Sequence, residues 1–469
     1  MRSLFSIFVF VFAAVVSAIS TSGNRLLAIL DDVADKENYS KFVGDLESRG
    51  FQISFETPKS ESLALFHLGE RNYDHILLFP TRTKGLGPNL TPNILVDFMN
   101  ANGNILVALS SEVAVPSSLV SLLTELDIQL PADRTGLVVD HFHYDASNAA
   151  NKHDVLVLSP PKPVRPGVKD FFSTGAGKEE GGDVVLAFPR AVGAALGASE
   201  LLTPIVRAPR TAYSYNPKEQ TEVVDDLFAA GEQLALVSAF QARNSARLAL
   251  VGSAEMLQDK WFDAKVTKAA DGKAAKTFNR EFAKRVSGWA FNEIGVLRVN
   301  WIEHHLDEAG AANESNPKIY RIKNDVKYTI SLSEYAWTTW TPFSLPSEDA
   351  LQLEFSMLSP FHRLPLALDA AQSSDSASAY STSFKLPDQH GIFNFKVNYK
   401  RPFLSNVEEK NTVSVRHMAH NEWPRSYVIS GAWPWIAGVG VTVTGWLAFC
   451  ALWMYSAPVN GNRETKKTQ

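Results

Sequence analysis

The chain has 469 residues, 45 Lys plus Arg against 50 Asp plus Glu, and a formal net charge of −5. With 45% hydrophobic and 20% charged residues it has the balance of a folded protein that buries a large core, and its length suggests about three domains. The near-neutral charge excludes a strongly basic nucleic-acid binder, and a mean hydropathy near zero excludes a polytopic membrane protein. The single cysteine, Cys450, excludes a disulfide framework, Cys-type zinc sites and iron–sulfur clusters.

Met1-Arg2 precede an apolar run over residues 4–16, followed by the small residues Ser17, Ala18 and Ser20. One positive charge, a short apolar stretch and a small-residue site describe a secretory signal peptide over residues 1–20, cleaved after Ala18 or Ser20. The run is too short to span a bilayer. Residues 25–30 then read as an apolar strand ending in Asp31-Asp32. Residues 39–48 place Phe42, Val43 and Leu46 on one helical face, with Gly50 as a stop. A strand over 51–55, a short helix over 61–68 and a buried strand over 75–79 follow. Thr91 caps a helix with Pro92 in its first turn and Gly103 at its end, and residues 105–109 form the next strand. Repeated strand–helix alternation implies right-handed parallel crossovers and an α/β doubly wound sheet.

Residues 159–167 are rich in proline, and residues 173–182 are rich in glycine and read as an exposed loop. Strands return at 184–188, 234–239 and 248–251, and a helix over 279–292 puts Phe282, Val286 and Trp289 on one face. The α/β region is expected over residues 21–300. After Pro317 the period changes to two: Val326, Tyr328, Ile330 and Leu332 alternate with other side chains, as do Leu351, Leu353, Phe355 and Met357, then Phe393, Phe395, Val397 and Tyr399. Short strands of this kind predict an antiparallel β-sandwich over 301–418, with a serine-rich loop at 373–383 and a linker at 419–430.

No charged residue lies between Arg425 and Arg463. Residues 432–455 are almost wholly apolar, and as a helix they would reach ~36 Å, enough to cross a bilayer. A transmembrane helix is expected over 431–455, with Trp433, Trp435, Trp453 and Tyr455 at its interfaces. Gly438, Gly440 and Gly445 offer small surfaces for packing against another membrane helix. The tail over 456–469 carries Arg463, Lys466 and Lys467 against Glu464, which marks the cytosolic side and gives a type I topology with a lumenal body. Lys466 and Lys467 resemble a dilysine endoplasmic-reticulum retrieval signal, an address read by coat machinery. Three glycosylation sequons, at Asn38, Asn89 and Asn313, suit a lumenal body. Asn313 is best placed, in a polar loop over 310–317; Asn89 is close to the stiffening Pro92.

The residues that invite a chemical reading do not form a set. The run Ser173-Thr174-Gly175-Ala176-Gly177-Lys178 is no phosphate loop, because Phe172 stands at the first glycine position and Glu179 at the Ser/Thr position. Asp31 and Asp32 lie at the carboxyl end of a strand, where open α/β sheets bind ligands, and with His141 they are a candidate groove; a solvated turn is the plainer reading. His141 and His143 flank Phe142 on one expected strand face near Asp140, Asp145 and His153, but no second spaced pair completes a metal set. There is no Gly-x-Ser-x-Gly elbow, and the only thiol lies in the membrane segment. No catalytic, cofactor-binding or metal-ligating residue is therefore assigned, and no cofactor is expected.

Several stretches in order carry a resemblance. They include Arg25-Leu26-Leu27-Ala28-Ile29-Leu30-Asp31-Asp32, Tyr73-Asp74-His75-Ile76-Leu77-Leu78-Phe79, and Asn102-Gly103-Asn104-Ile105-Leu106-Val107-Ala108. Val139-Asp140-His141-Phe142-His143-Tyr144-Asp145 and Gln241-Ala242-Arg243-Asn244-Ser245-Ala246-Arg247 follow, then Gly391-Ile392-Phe393-Asn394-Phe395-Lys396-Val397. With the dilysine end and single crossing, the chain resembles the forty-eight-kilodalton, Wbp-type subunit family of the eukaryotic oligosaccharyltransferase.

The resemblance implies membership of the endoplasmic-reticulum complex that moves a preassembled glycan from dolichyl diphosphate onto Asn of nascent chains. It implies a non-catalytic role in assembly and stability, with a contribution to donor handling left open. It places chemistry on a polytopic partner with a metal-bound acidic site and a Trp-Trp-Asp motif; this chain contains no Trp-Trp pair. It names the ribophorin-II (Swp-type) and defender-against-death-type subunits as neighbours, besides membrane lipid. It also likens the α/β part to glutamine-amidotransferase-like domains, whose cysteine nucleophile has no counterpart here. The alternatives are a lumenal hydrolase, a glycan-binding lectin-like receptor, or a cargo receptor cycling by its dilysine tail.

Overall fold

A computed structural model describes residues 20–160, 167–172, 185–217, 228–269, 272–308, 314–422 and 432–455. The signal-peptide run, the glycine-rich stretch, Asn313 and the tail lysines Lys466 and Lys467 lie outside the described residues.

The runs Arg25–Ile29, His75–Leu78, Asn104–Ala108 and Arg247–Val251 are apolar almost without interruption, and their apolar side chains are buried. Such runs suit parallel strands covered on both faces. With Gln52–Glu56 at the edge they form the parallel part of a nine-stranded sheet. Phe42 and Leu46 of helix Ser40–Ser48, with Phe282, Val286 and Trp289 of helix Asn279–Ala290, cover one face. Leu95 and Phe98 of helix Pro92–Asn100, with Leu119 and Leu122 of helix Ser117–Glu125, cover the other. Thr91 caps the Pro92 helix, its hydroxyl accepting from the Ile94 N–H at 3.4 Å.

The sheet is mixed, where uninterrupted alternation predicts a parallel one. Leu234–Gln241 runs antiparallel to Arg247–Val251, and Ala194–Leu196 and Leu202–Arg207 are antiparallel to Leu234–Gln241. The connection over 242–246 is far too short for a crossover, which needs about a dozen residues. Two smaller expectations also change. Residues 61–68 form no helix: Phe66–His67 pairs with Glu70–Arg71 in a hairpin, turned at Leu68 and Gly69 with φ of +50° and +86°. In the serine-rich stretch, Ser378–Lys385 is a strand paired along Asp325–Ala336.

The sandwich has two five-stranded sheets. One holds Ile294–Leu306, Asp325–Ala336, Thr339–Pro342, Ser378–Lys385 and Ala367–Leu368; the other holds Ile319–Arg321, Val407–Arg416, Gly391–Tyr399, Gln352–Ser356 and Pro360–Pro365. Tyr328, Ile330, Leu332, Phe355, Phe393 and Phe395 meet between them, as the alternation requires. All the pairings are antiparallel except that of Ile319–Arg321 with Val407–Arg416. The first sandwich strand starts at Ile294, four residues after helix Asn279–Ala290 ends, so no linker separates the two units.

Arg247 rivets that junction. It is fully buried, and its guanidinium donates to the carbonyls of Trp289 and Ile294 at 2.7 Å each and of Gly295 at 2.6 Å. It lies over the Trp289 ring, 5.0 Å from the centroid. Trp289 Nε1 donates to the Phe403 carbonyl at 3.0 Å. Gly295 has φ of +66°, and a Cβ there would meet the Phe403 oxygen at 2.3 Å, so glycine is required. Nearby, Arg49 donates to Glu293 at 2.5 Å; burial pushes the Glu293 carboxyl up to about 7, against the pull of Arg49. Replacing Arg247 by Met removes three charge-assisted donors from buried carbonyls, and a loss of about 3 kcal/mol or more is expected. Thermal unfolding of the full chain in detergent checks this; an unchanged midpoint contradicts it.

His75 anchors the start of the body. Asn104 Nδ2 lies 3.2 Å from His75 Nδ1, and His75 Nε2 lies 3.1 Å from the Gly23 carbonyl and 3.2 Å from Ser20 Oγ. This network selects the neutral Nε2–H tautomer. Burial pushes the ring down from 6.5 to about 4. The unfolded chain therefore binds the proton first, so this stabilisation is complete above pH ~6.5 and fades as pH falls toward ~4. About 3 kcal/mol should disappear over that window. Stability measured against pH should lose part of that slope in His75→Gln; an identical slope contradicts the assignment.

Candidate functional site

The carboxyl ends of the parallel strands meet at one edge of the sheet, where open α/β folds hold ligands. The Asp31 carboxylate accepts from the Arg82 N–H at 3.1 Å and lies 3.9 Å from the Arg82 side chain. Asp32 accepts from the Ala34 N–H at 3.0 Å and so starts the 3-10 helix Val33–Tyr39. Both aspartates thus shape their own turn. Farther along, Arg190 pairs with Glu112 and, at 2.6 Å, with Glu255. Burial pushes the Glu255 carboxyl up, and the bond from Arg190 opposes it. The backbone of Arg190 has φ of +45°.

His141 and His143 do not share a strand face, because residues 141–143 form a bend. His141 Nδ1 lies 2.6 Å from His153 Nδ1, and its Nε2 lies 3.0 Å from the Tyr213 hydroxyl. Tyr144 stacks on His153 with centroids 3.9 Å apart. His143 turns the other way, its Nδ1 2.9 Å from Asp140. Burial pushes the Asp140 carboxyl up, but hydrogen bonds from Phe142 N–H, Thr211 and His143 outweigh it and hold it below the usual range. Asp145 is occupied by Ser147, Asn148 and the Thr267 N–H. Among the described residues no three His, Cys, Asp or Glu side chains converge as a metal would require. His141 touches neither Asp31 nor Asp32 among the described residues.

The hydroxyls of Thr211 and Ser20 lie beside histidines. Thr211 donates to Asp140 at 2.7 Å and lies 3.4 Å from the same His143 nitrogen that faces Asp140. A catalytic triad needs nucleophile and acid on opposite ring nitrogens. Ser20 lies beside His75, but its hydroxyl donates to the Phe291 carbonyl and both side chains are buried.

A larger space opens where the sandwich meets the α/β unit. This cavity holds about 730 Å³ and is lined by Trp337, Tyr335, Phe343, Glu334, Arg285 and Arg401, among others. Burial pushes the Glu334 carboxyl up, and Arg401 pairs with Asp349 at 2.7 Å. Neither the cavity nor the Arg190 rim was marked by any local motif; both join side chains from distant segments.

The remaining candidates fall elsewhere. Asn38 is exposed on the 3-10 helix Val33–Tyr39, and Ser40 of its sequon donates to Asp259. Asn89 is half-buried, and Thr91 of its sequon serves as the helix cap. Gly438, Gly440 and Gly445 lie on helix Trp433–Met454, where a Cβ would meet nothing within 4 Å. That helix, with 22 residues, is long and apolar enough to cross a membrane.

Among the described residues, an α/β unit fused to a β-sandwich and followed by one membrane-compatible helix defines a two-domain protein with a candidate membrane span. A family model described as the OST48 N-terminal domain matches residues 17–293, and one described as the OST48 middle domain matches residues 304–457. The chain belongs to the OST48 family. It is 31% identical over 440 residues to the dolichyl-diphosphooligosaccharide–protein glycosyltransferase subunit wbp1 of Schizosaccharomyces pombe, covering 94% of each chain. It is 30% identical over 452 residues to the 48 kDa subunit of that enzyme from Danio rerio, covering 96% of each, and 28% identical over 432 residues to the one from Arabidopsis thaliana, covering 92% of each.

Removing Arg190 should leave Glu255 buried without its cation. Arg190→Met is expected to lower stability at neutral pH by about 2 kcal/mol. The deficit should shrink on acidification, because protonated Glu255 needs no partner. Unfolding of wild type and variant at pH 7 and pH 5 checks this; a deficit that grows at pH 5 contradicts it.

Proposed function

We propose that this chain is a subunit of the endoplasmic-reticulum oligosaccharyltransferase, which transfers a preassembled oligosaccharide from dolichyl diphosphate to Asn of nascent polypeptides. The observation that carries the reading is coverage: relatives named as subunits of that enzyme match 92–96% of this chain, and the two family models run over residues 17–293 and 304–457, the membrane-compatible helix included. Its part is assembly and stability, with catalysis on a polytopic partner subunit.

In this reading the helix Trp433–Met454 is a type I anchor, the N-terminal signal is cleaved after Ala18, which leaves Ser20 in the folded body, and the tail with Lys466 and Lys467 is cytosolic. The lysines are read by coat machinery. Gly438, Gly440 and Gly445 pack against neighbouring subunit helices, the ribophorin-II and defender-against-death types among them. Exposure on its helix favours Asn38 over the half-buried Asn89 for glycosylation. The parallel half of the sheet serves as an amidotransferase-like scaffold without the cysteine nucleophile.

A second reading, glycan binding by this chain, is favoured by the interdomain cavity, whose aromatic faces and paired carboxylate and guanidinium groups suit sugar rings. Depleting the chain and following a reporter glycoprotein separates the two. Underglycosylation, with recovery of the chain in a large complex in mild detergent, is expected. Normal site occupancy, or a chain recovered only as monomer that binds glycan, overturns the subunit reading.

A further inference from the structure

The strands of the sandwich run between two unlike ends. At one end lie Ile294, Trp337 and Phe403, where Arg247 and Trp289 fix the α/β unit. At the other end lie the last residues of Val407–Arg416, beside Ile319–Arg321 and the start of Gly391–Tyr399. The chain leaves the sandwich here. Glu422 folds back onto Arg321 at 2.7 and 2.8 Å, which pins the departure point to this end. The eleven residue steps from Glu422 to Trp433 reach at most ~40 Å, about the length of the twelve-residue strand Asp325–Ala336 itself.

This same end carries an apolar tip. Leu358, in the turn after Gln352–Ser356, is 99% exposed; Ile392 is 64% and Phe361 36% exposed. They belong to one surface. A Cβ on Gly391 would lie 2.6 Å from Met357 Sδ, so the Ile392 strand sits directly on the turn, and the Phe361 ring packs edge-on against Phe393 at 5.4 Å. Beside the tip, Arg416 is exposed and has no acidic partner among the described residues, and the His390 and His417 rings lie 4.5 Å apart. Apolar side chains at a turn, flanked by a cation and amphipathic rings, match the chemistry of a lipid headgroup boundary.

We propose that this end of the sandwich rests on the bilayer that holds the helix, with Leu358, Phe361 and Ile392 inserted at the headgroup level. The inference rests on the reading of Trp433–Met454 as a membrane span. The tether makes the contact an intramolecular event at high effective concentration, so a small apolar tip suffices. The body would then stand upright, sandwich against lipid and α/β unit farthest from it.

The single cysteine makes the test direct. Full-length chain in phosphatidylcholine nanodiscs, with Cys450→Ala as background, carries a bimane label at a cysteine introduced as Leu358→Cys, Ile392→Cys or, at the α/β end, Glu348→Cys. Labels at 358 and 392 should be quenched several-fold more by a headgroup-region nitroxide lipid than by aqueous iodide, and the label at 348 the reverse. Equal iodide quenching at all three positions overturns the proposal. Shielding of 358 and 392 from both quenchers also overturns it and assigns the tip to a protein contact. A label on Cys450 itself, read against a deep nitroxide lipid, reports separately whether the helix spans.

Discussion

The buried guanidinium of Arg247 is the contact on which the arrangement of the body depends. It begins the innermost parallel strand, yet its three bonds go to carbonyls at the end of helix Asn279–Ala290 and the start of the first sandwich strand. Burial pushes its pKa down to about 9, which still leaves it charged at neutral pH. A buried cation is costly unless its donors are used, and carbonyl oxygens of a helix end carry the partial negative charge that suits it. The α/β unit and the sandwich are thereby joined through backbone, with Trp289 and Phe403 closing the contact. Domain motion at this junction would strand a charge.

Other polar residues hold local shape as well. Asp31 and Asp32 hold turns, Asp145 accepts three bonds from Ser147 and Asn148 and one from the Thr267 N–H, and Arg190 ties three segments of the rim. Membership of the OST48 family gives this arrangement its setting: the chain presents surfaces to a larger assembly.

Legibility in the sequence followed periodicity. The parallel strands were readable because residues such as Leu26-Leu27-Ala28-Ile29 leave no room for a solvent face, and the sandwich because Phe393, Phe395 and Val397 alternate strictly. In the antiparallel part of that sheet Leu234–Gln241 was readable too, but Ala194–Leu196 was not, because it is short and its partners lie forty residues or more away. Ser378–Lys385 hid behind serines, which a central strand tolerates when Tyr380 and Ala379 face packed layers. The site was less legible still. Two histidines two residues apart imply a shared strand face, yet a bend separates them and their partners, His153 and Tyr213, arrive from elsewhere. An arginine at the head of a strand reads as a solvated end; only tertiary structure reveals that Arg247 is wholly enclosed.

The clasp at the N-terminal end of the body has a bearing on biogenesis. Ser20 donates to the carbonyl of Phe291, and Thr21 to that of Asn292, each across 271 positions of sequence. The Arg247 strand must likewise slot beside Asn104–Ala108 after more than half the polypeptide has been made. During synthesis the Asn104 strand waits with an open edge until that late segment emerges, a long interval in which ribosome-bound intermediates are vulnerable to misassembly. Completion of the first unit is thus timed by the arrival of residues on the threshold of the second, and chaperones would have their main claim on this chain before that moment.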